Sequence, residues 1–374
     1  MRAPYQTQLA KRLGVMASVL VASAAMAFAQ DSLQQYTQTN LVSSQGGVAN
    51  NVDSDLVNAW GMSRTSGSPW WISDNGTGKS TLYDGTGTKQ SRIVTIPSGD
   101  LTVSPTGTPT GTVYNGSTTD FLLAPGNPAV FLFVTEDGTI SGWNPGVNAS
   151  EAVIEVNEKG KSVFKGAAIA QVKQGGVSTT YLYVADFRKG RVQVYDTSFH
   201  HVRFGEERFD DERIPEEYAP FNIQNIGGNL YVTFAKQDDA KHDEVDGAGF
   251  GRVDVFSPSG RLLLRLEHGS WFNAPWGLTL ASGDFGLYSH DVLVGQFGSG
   301  EILAFNPVTG AFEGNLLNTS SEPLTIDGLW GLSFGNGATA GPATSLFFTA
   351  GPNQESNGLF GTITPVQKLP GNGQ

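Results

Sequence analysis

The chain has 374 residues, no cysteine, 48 glycines, 18 prolines and a formal net charge of −12. The absence of thiols excludes cysteine nucleophiles, redox pairs and Cys-ligated zinc, and the acidic balance argues against nucleic acid and anionic lipid, which are held through Lys and Arg. Charged residues at only 16% beside so much Gly and Pro suit many short strands joined by tight turns.

The first 29 residues form a separate unit. Arg2, Lys11 and Arg12 precede an apolar run over 14–28, and Ala27-Phe28-Ala29 places small residues before Gln30. This pattern predicts a signal peptide over 1–29 and a secreted or periplasmic protein. The run is shorter than the roughly 20 residues a membrane span needs, and no later segment is long and apolar enough to be one. Loss of the three leader cations takes the formal charge from −12 to −15. Without disulfides, the mature chain must rest on core burial, which its length permits.

Tyr36 to Val42 alternates polar with apolar or β-branched residues, and 35–42 is expected to close the last repeat. Downstream, a short segment with a small central residue recurs six times: Trp60-Gly61-Met62, Thr110-Gly111-Thr112, Lys165-Gly166-Ala167, Phe221-Asn222-Ile223, Trp276-Gly277-Leu278 and Trp330-Gly331-Leu332. The spacing of roughly 50–56 residues is that of a four-stranded propeller blade with generous loops. Each copy is followed by an apolar strand, a polar turn and an alternating strand, as in Tyr181-Leu182-Tyr183-Val184-Ala185-Asp186 before Arg191-Val192-Gln193-Val194-Tyr195-Asp196. The prediction is all-β: one six-bladed β-propeller of four-stranded antiparallel blades over 30–365. Its blades start near 56, 107, 162, 218, 273 and 327, and a polar tail covers 366–374.

Several of these segments carry a resemblance. Leu56-Val57-Asn58-Ala59-Trp60-Gly61, Ser73 to Gly78, Thr135 to Pro145, Tyr218 to Gln224, Ser270 to Leu278 and Ile326 to Leu332 resemble a family of exported bacterial propellers of unknown function. Many of its members end in a Pro-Glu-Pro sorting signal, which does not follow Ile363 here. More distantly, the third hairpin is similar to the NHL repeat, whose relatives include six-bladed lactonases. That likeness is one of fold.

In such a blade the loop leading into the innermost strand and the loop between the second and third strands open on one face around the channel. Those loops would bring Asn58, Asp74, Asn75, Glu136, Asp137, Asp186, Asn273, Gln296, Asp327 and Asn353 to the mouth. Asn58, Asp74, Glu136, Asp186 and Asp327 could share a calcium ion, which takes six to eight oxygens. The resemblance to lactonases implies metal-assisted hydrolysis for such an ion. Asp and Asn are equally the ordinary residues of hairpin turns, where they bond to nearby backbone N–H groups.

The loop from Lys236 to Gly251 is the longest of its kind, and long loops in compact folds are often lids or binding loops. Lys236, Asp238, Asp239, His242 and Asp243 are its candidates. Their spacing does not match an EF-hand. Trp60, Trp276 and Trp330 share one blade position and are expected in the core. Gly76-Thr77-Gly78-Lys79-Ser80 lacks the first glycine of a phosphate loop, and no Gly-x-Ser-x-Gly elbow occurs. Four Asn-x-Ser/Thr sequons, at Asn75, Asn115, Asn148 and Asn318, matter only in a eukaryotic secretory pathway. Three functions remain: a monomeric propeller binding a small molecule, carbohydrate or protein at its mouth without chemistry, a calcium-assisted lactone or ester hydrolase, or a structural envelope protein.

Overall fold

The computed structural model describes residues 34–205 and 208–366. The predicted signal peptide and residues 367–374 of the predicted tail lie outside the described residues. Six antiparallel four-stranded sheets form a six-bladed β-propeller. The only helical pieces among the described residues are two single 3₁₀ turns, Asn75–Thr77 and Gly286–Tyr288.

The innermost strands are Ala59–Ser63, Pro109–Tyr114, Phe164–Gln174, Tyr218–Ile226, Pro275–Leu280 and Leu329–Phe334. Each touches the innermost strand of the next blade, and the sixth touches the first, so the ring is closed. Within the first five blades the strands follow in chain order from the axis outward, and the sixth takes its outer strand from the other end of the ring. A blade has a neighbour on both faces, which removes the alternation of a half-exposed sheet. Third strands such as Thr139–Trp143 and Ile302–Phe305 are accordingly buried at every residue. That corrects the expectation of alternation there.

The recurring small residue occupies the narrowest point. A Cβ added to Gly111 would lie 2.8 Å from the Ala167 nitrogen and 2.9 Å from the Gly166 Cα, inside contact distance. Gly61 faces Thr110 and Gly111, Gly166 faces Asn222, and Gly331 faces the Trp60 carbonyl in the same way. Glycine is needed here for close approach rather than for its backbone freedom. Asn222 is the exception. It folds its amide across the gap, with Nδ2 donating to the Trp276 carbonyl at 2.7 Å. The six segments form a collar that pinches the channel.

Tyr36–Ser43 supplies the fourth strand of the last blade. It runs antiparallel to Leu359–Pro365, from Tyr36 opposite Pro365 to Ser43 opposite Leu359, with a bulge between Asn40 and Val42. Asn51–Val52 adds a short parallel pair outside it. Buried Tyr36 anchors the strand to blade five, its hydroxyl donating to the Phe285 carbonyl at 3.0 Å. The edge that would otherwise offer unpaired backbone groups is covered.

Gly111→Ala is expected to cost about 1–3 kcal/mol, the usual penalty of overpacking, whereas Gly67→Ala, with nothing within 4 Å of its Cβ, should stay within about 0.5 kcal/mol of wild type. Urea denaturation of the two variants side by side checks this; equal stabilities would remove the collar's steric basis.

Candidate functional site

Immediately above the collar stand the residues that precede each small residue: Trp60, Thr110, Lys165, Phe221, Trp276 and Trp330. Trp60 and Trp330 stack with ring centroids 3.7 Å apart, and Trp276 meets both edge-on at 6.0 and 5.9 Å. Phe297 stacks on Trp330 at 4.1 Å. The three tryptophans are buried, as their periodicity suggested.

Lys165 takes the same position in blade three and is 1% exposed. Its ammonium lies 4.9 Å from the Trp60 ring centroid, 5.8 Å from that of Phe187 and 5.9 Å from that of Phe221. Aromatic faces attract a desolvated cation. Its charge is met by Glu136 Oε1 at 2.6 Å and by Asp243 Oδ1 at 3.4 Å. Burial would lower Lys165, but Glu136, Glu244 and Asp243 outweigh it and hold the ammonium above its ordinary range.

A second hub is Asn58, the residue before the first innermost strand, in the left-handed region at φ 49°. Its Oδ1 accepts the indole N–H groups of Trp60 and Trp330, both at 2.9 Å. Its Nδ2 donates to Asn75 Oδ1 at 3.2 Å and to Glu355 Oε1 at 3.1 Å. Asn75 passes the chain on, its Nδ2 donating to Glu136 Oε2 at 2.8 Å. One network therefore runs from the tryptophans through Asn58, Asn75, Glu136 and Lys165 to Asp243 and His242.

The Lys236 to Gly251 loop brings the far end of that network. Asp238 folds its tip, accepting the backbone N–H of His242 at 2.8 Å and of Asp243 at 3.3 Å, while the Val245 N–H donates to the Lys236 carbonyl at 2.9 Å. The base of the loop is tied to blade five, where Gly247 N–H donates to Asn273 Oδ1 at 2.7 Å. Lys236 lies over the Phe250 ring at 4.6 Å, and Asp239 is exposed. His242 Nδ1 is 2.8 Å from Asp243 Oδ1, which is on a side chain 64% exposed. The pair holds His242 above its ordinary range; the His242 hydrogen bond and then Lys165, against burial, bring Asp243 down to about 2. Neighbouring Glu244 is half-buried, and desolvation, with Glu355 and Asp243 close by, pushes it up to about 8.

Glu355 arrives by an uncommon route. Asn353, Gln354 and Glu355 have φ values of 59°, 52° and 62°. Three successive non-glycine residues in the left-handed region form a strained turn. Burial and the nearby Glu136 raise the Glu355 carboxyl.

The remaining candidates sit elsewhere. Asp74 is fully buried in blade one, where Oδ2 accepts the Thr81 N–H at 2.9 Å and burial drives the carboxyl well above its ordinary range. Asp186 is likewise buried and accepts the backbone N–H groups of Lys189 at 3.1 Å and Val163 at 3.3 Å, with Gln193 also donating to it. Gln296 accepts from Asn273 N–H at 2.8 Å. Asp137 binds Ser98 and Gly99, and Asp327 accepts from Asn353 N–H at 2.7 Å. Of the five residues read as sharing a calcium ion, only Asn58 and Glu136 are joined, through Asn75; Asp74, Asp186 and Asp327 cap the backbone of their own blades. A different set, Glu136, His242 and Asp243, brings one ligand atom each within 4.8 Å of the others. Lys165 already sets an ammonium against two of the three. A cavity of about 1140 Å³ lies away from these side chains, lined by Asn115, Gln171, Lys173, Asn229 and Ser257 among others.

Lys165 and Glu355 were not among the sequence candidates. Lys165 had a signal, as the one charged residue at a repeat position otherwise held by Trp, Phe or Thr. Nothing local marks Glu355.

Lys165→Met should destabilise the fold by about 3 kcal/mol, because it leaves a buried carboxylate unanswered, and adding Glu136→Gln should recover part of that loss in a urea double-mutant cycle. The raised Glu244 carboxyl binds its proton more tightly in the folded state, so its contribution is fully present below about 4.5 and is lost as pH rises to about 8. Thermal midpoints across that window should therefore fall less steeply in Glu244→Gln.

No family model matches the chain. An uncharacterized protein of Acanthamoeba polyphaga mimivirus is 33% identical over 336 residues, spanning 88% of this chain and 80% of that one. A second uncharacterized protein of the same virus is 30% identical over 339 residues, spanning 88% and 86%. Among solved structures, a structural genomics protein of unknown function from Bacteroides thetaiotaomicron superposes with a TM-score of 0.53 at 10% identity, covering 89% of this chain and 76% of that one; this likeness is one of fold. By its identity and coverage, the chain belongs to the family of these uncharacterized mimivirus proteins.

Proposed function

We propose that the chain is an exported, non-catalytic binding protein whose mouth recognises a cationic group on a ligand or protein partner. The observation that carries this reading is the charge imbalance at the mouth. Glu136, Asp243, Glu244 and Glu355 come from three different blades to one lysine. Burial is the chief cause of the raised Glu244 and Glu355 carboxyls, and repulsion from neighbouring carboxylates adds to it in both. An arriving ammonium or guanidinium would relieve that repulsion, with the exposed Asp243 as its first contact.

The backbone supports the same reading. Strain such as that of the turn at Asn353 to Glu355 persists where surrounding structure over-determines it, and it concentrates at ligand sites. Lys165 already bonds to Glu136 and Asp243, two of the three groups that could ligate a metal together, which favours recognition over metal-assisted hydrolysis. Export rests on the leader-like residues 1–29, in keeping with the resemblance to exported bacterial propellers.

The test is isothermal titration of the protein from Gln30 onward with spermidine and with a Lys/Arg-rich peptide. Saturable binding is expected to weaken with added salt and to fall about tenfold or more in Asp243→Asn combined with Glu355→Gln. Absence of binding, or binding indifferent to that double variant, would overturn the reading.

A further inference from the structure

Asp254 lies in the third strand of blade four, Arg252–Phe256, and is 3% exposed. Its Oδ2 is sealed from solvent and meets no donor among the described residues. Arg265 is its partner across the ladder to the outer strand Leu262–Arg265, yet that guanidinium makes its hydrogen bonds elsewhere. It turns to Asp211, on the segment that leads from blade three into blade four. Nε donates to Asp211 Oδ2 and Nη2 to Oδ1 at 2.7 Å, and the Arg213 N–H adds a bond to Oδ1 at 2.9 Å.

Asp211 is itself buried, and its carboxyl is hydrogen-bonded to that of Asp254. Two carboxyl groups can share a hydrogen bond only while one of them keeps its proton. The surroundings decide which. Asp211 has the guanidinium and a backbone N–H, so it stays ionised, whereas Asp254 has neither and is the donor. With one guanidinium for two enclosed carboxyls, a single proton becomes part of the structure, and it accounts for a buried acid oxygen with no donor beside it.

The same contacts fasten a length of chain. Phe209, in the left-handed region at φ 60°, sets its ring between Tyr183 and Phe256, with centroids 5.6 Å from each, and its N–H donates to the Gly260 carbonyl at 3.0 Å. A non-glycine residue in that conformation persists only where its surroundings hold it. The Ile214 N–H closes onto the Asp211 carbonyl at 2.9 Å. Between those two points, the Asp211 carboxyl ties the segment to the strands of blade four.

We propose that Asp254 and Asp211 form a proton-operated clamp: one shared proton holds residues 208–214 on blade four, and its loss sets two buried carboxylates against each other and frees the segment. Among the described residues, the charged groups around Asp254 are Arg252 on its own strand, Arg265 on the next, Asp211 and, beyond Arg265, Glu212. Val232 stands opposite it on the second strand, and the adjoining apolar cluster contributes Tyr181, Tyr183 and Tyr218. Burial first, then the Asp211 hydrogen bond and charge, push Asp254 up to about 8, while the Arg265 hydrogen bond, against burial, brings Asp211 down to about 2. Asp254 thus binds its proton more tightly in the folded state, so its contribution is fully present below about 3.8 and is lost as pH rises to about 8. That of Asp211 is present above about 3.8 and is lost as pH falls to about 2.

Hydrogen exchange read by mass spectrometry on the whole protein, corrected for the intrinsic pH dependence of exchange, tests the clamp. Residues 208–214 are expected to be protected at about pH 6–7 and to lose protection about tenfold per pH unit above about pH 8, while the innermost strand Tyr218–Ile226 keeps its own. Asp254→Asn retains a donor that cannot ionise and should hold the segment's protection level up to about pH 9.5. Asp254→Ser, a smaller donor that does not titrate in this range, serves the same purpose if asparagine is not accommodated. Protection that stays level across the whole range in the wild type, or that falls as steeply in the non-titrating variants, would overturn the clamp.

Discussion

The close approach of six innermost strands at the collar is the constraint on which the rest of this propeller depends. Glycine at five of the six positions lets backbone meet backbone around the axis, and the blades splay from there. Because the strands converge so tightly, the side chains one residue above are forced together too. That is why Trp60 and Trp330 share one hydrogen-bonded hub in Asn58 while Trp276 meets both edge-on, and why a lysine at the equivalent place in blade three is wholly enclosed.

Enclosure of Lys165 dictates the chemistry around it. A lysine removed from water keeps its proton only if carboxylates and aromatic faces replace the lost hydration. Glu136 comes from the second blade and Asp243 from the long loop of the fourth, so the requirement of one buried ammonium fixes two loops. The loop beginning at Lys236 reads as an irregular insertion in sequence. In the fold it is a hydrogen-bonded arm whose tip completes an ion-pair network.

The architecture was legible because the collar demands a small residue at the same place in every blade, and such a demand leaves a periodic trace. The site was only partly legible, for a related reason. Asn58, Asn75, Glu136 and Asp243 lie on loops that the topology turns toward the axis, and they meet there. Asp74, Asp186 and Gln296 each end the second strand of a blade and turn inward to cap backbone. One residue of register separates Asp74 from Asn75, and composition does not reveal it. Glu355 reaches the mouth only because three residues without a glycine among them adopt left-handed backbone, a conformation their identities do not announce. The significance of Lys165 depends on partners 29 and 78 residues distant in the chain, beyond the reach of any local pattern.

Closure of the last blade by Tyr36–Ser43 has a consequence for how the molecule is made. The first strand of the ring cannot pair until the last, Leu359–Pro365, has left the ribosome, so formation of the complete ring waits on one of the most non-local pairings the chain contains. Until then blade six has an open edge, and Asn58 and Glu355, contributed from opposite sides of that seam, stay apart. The finished mouth is thus displayed only once both ends of the ring have been joined.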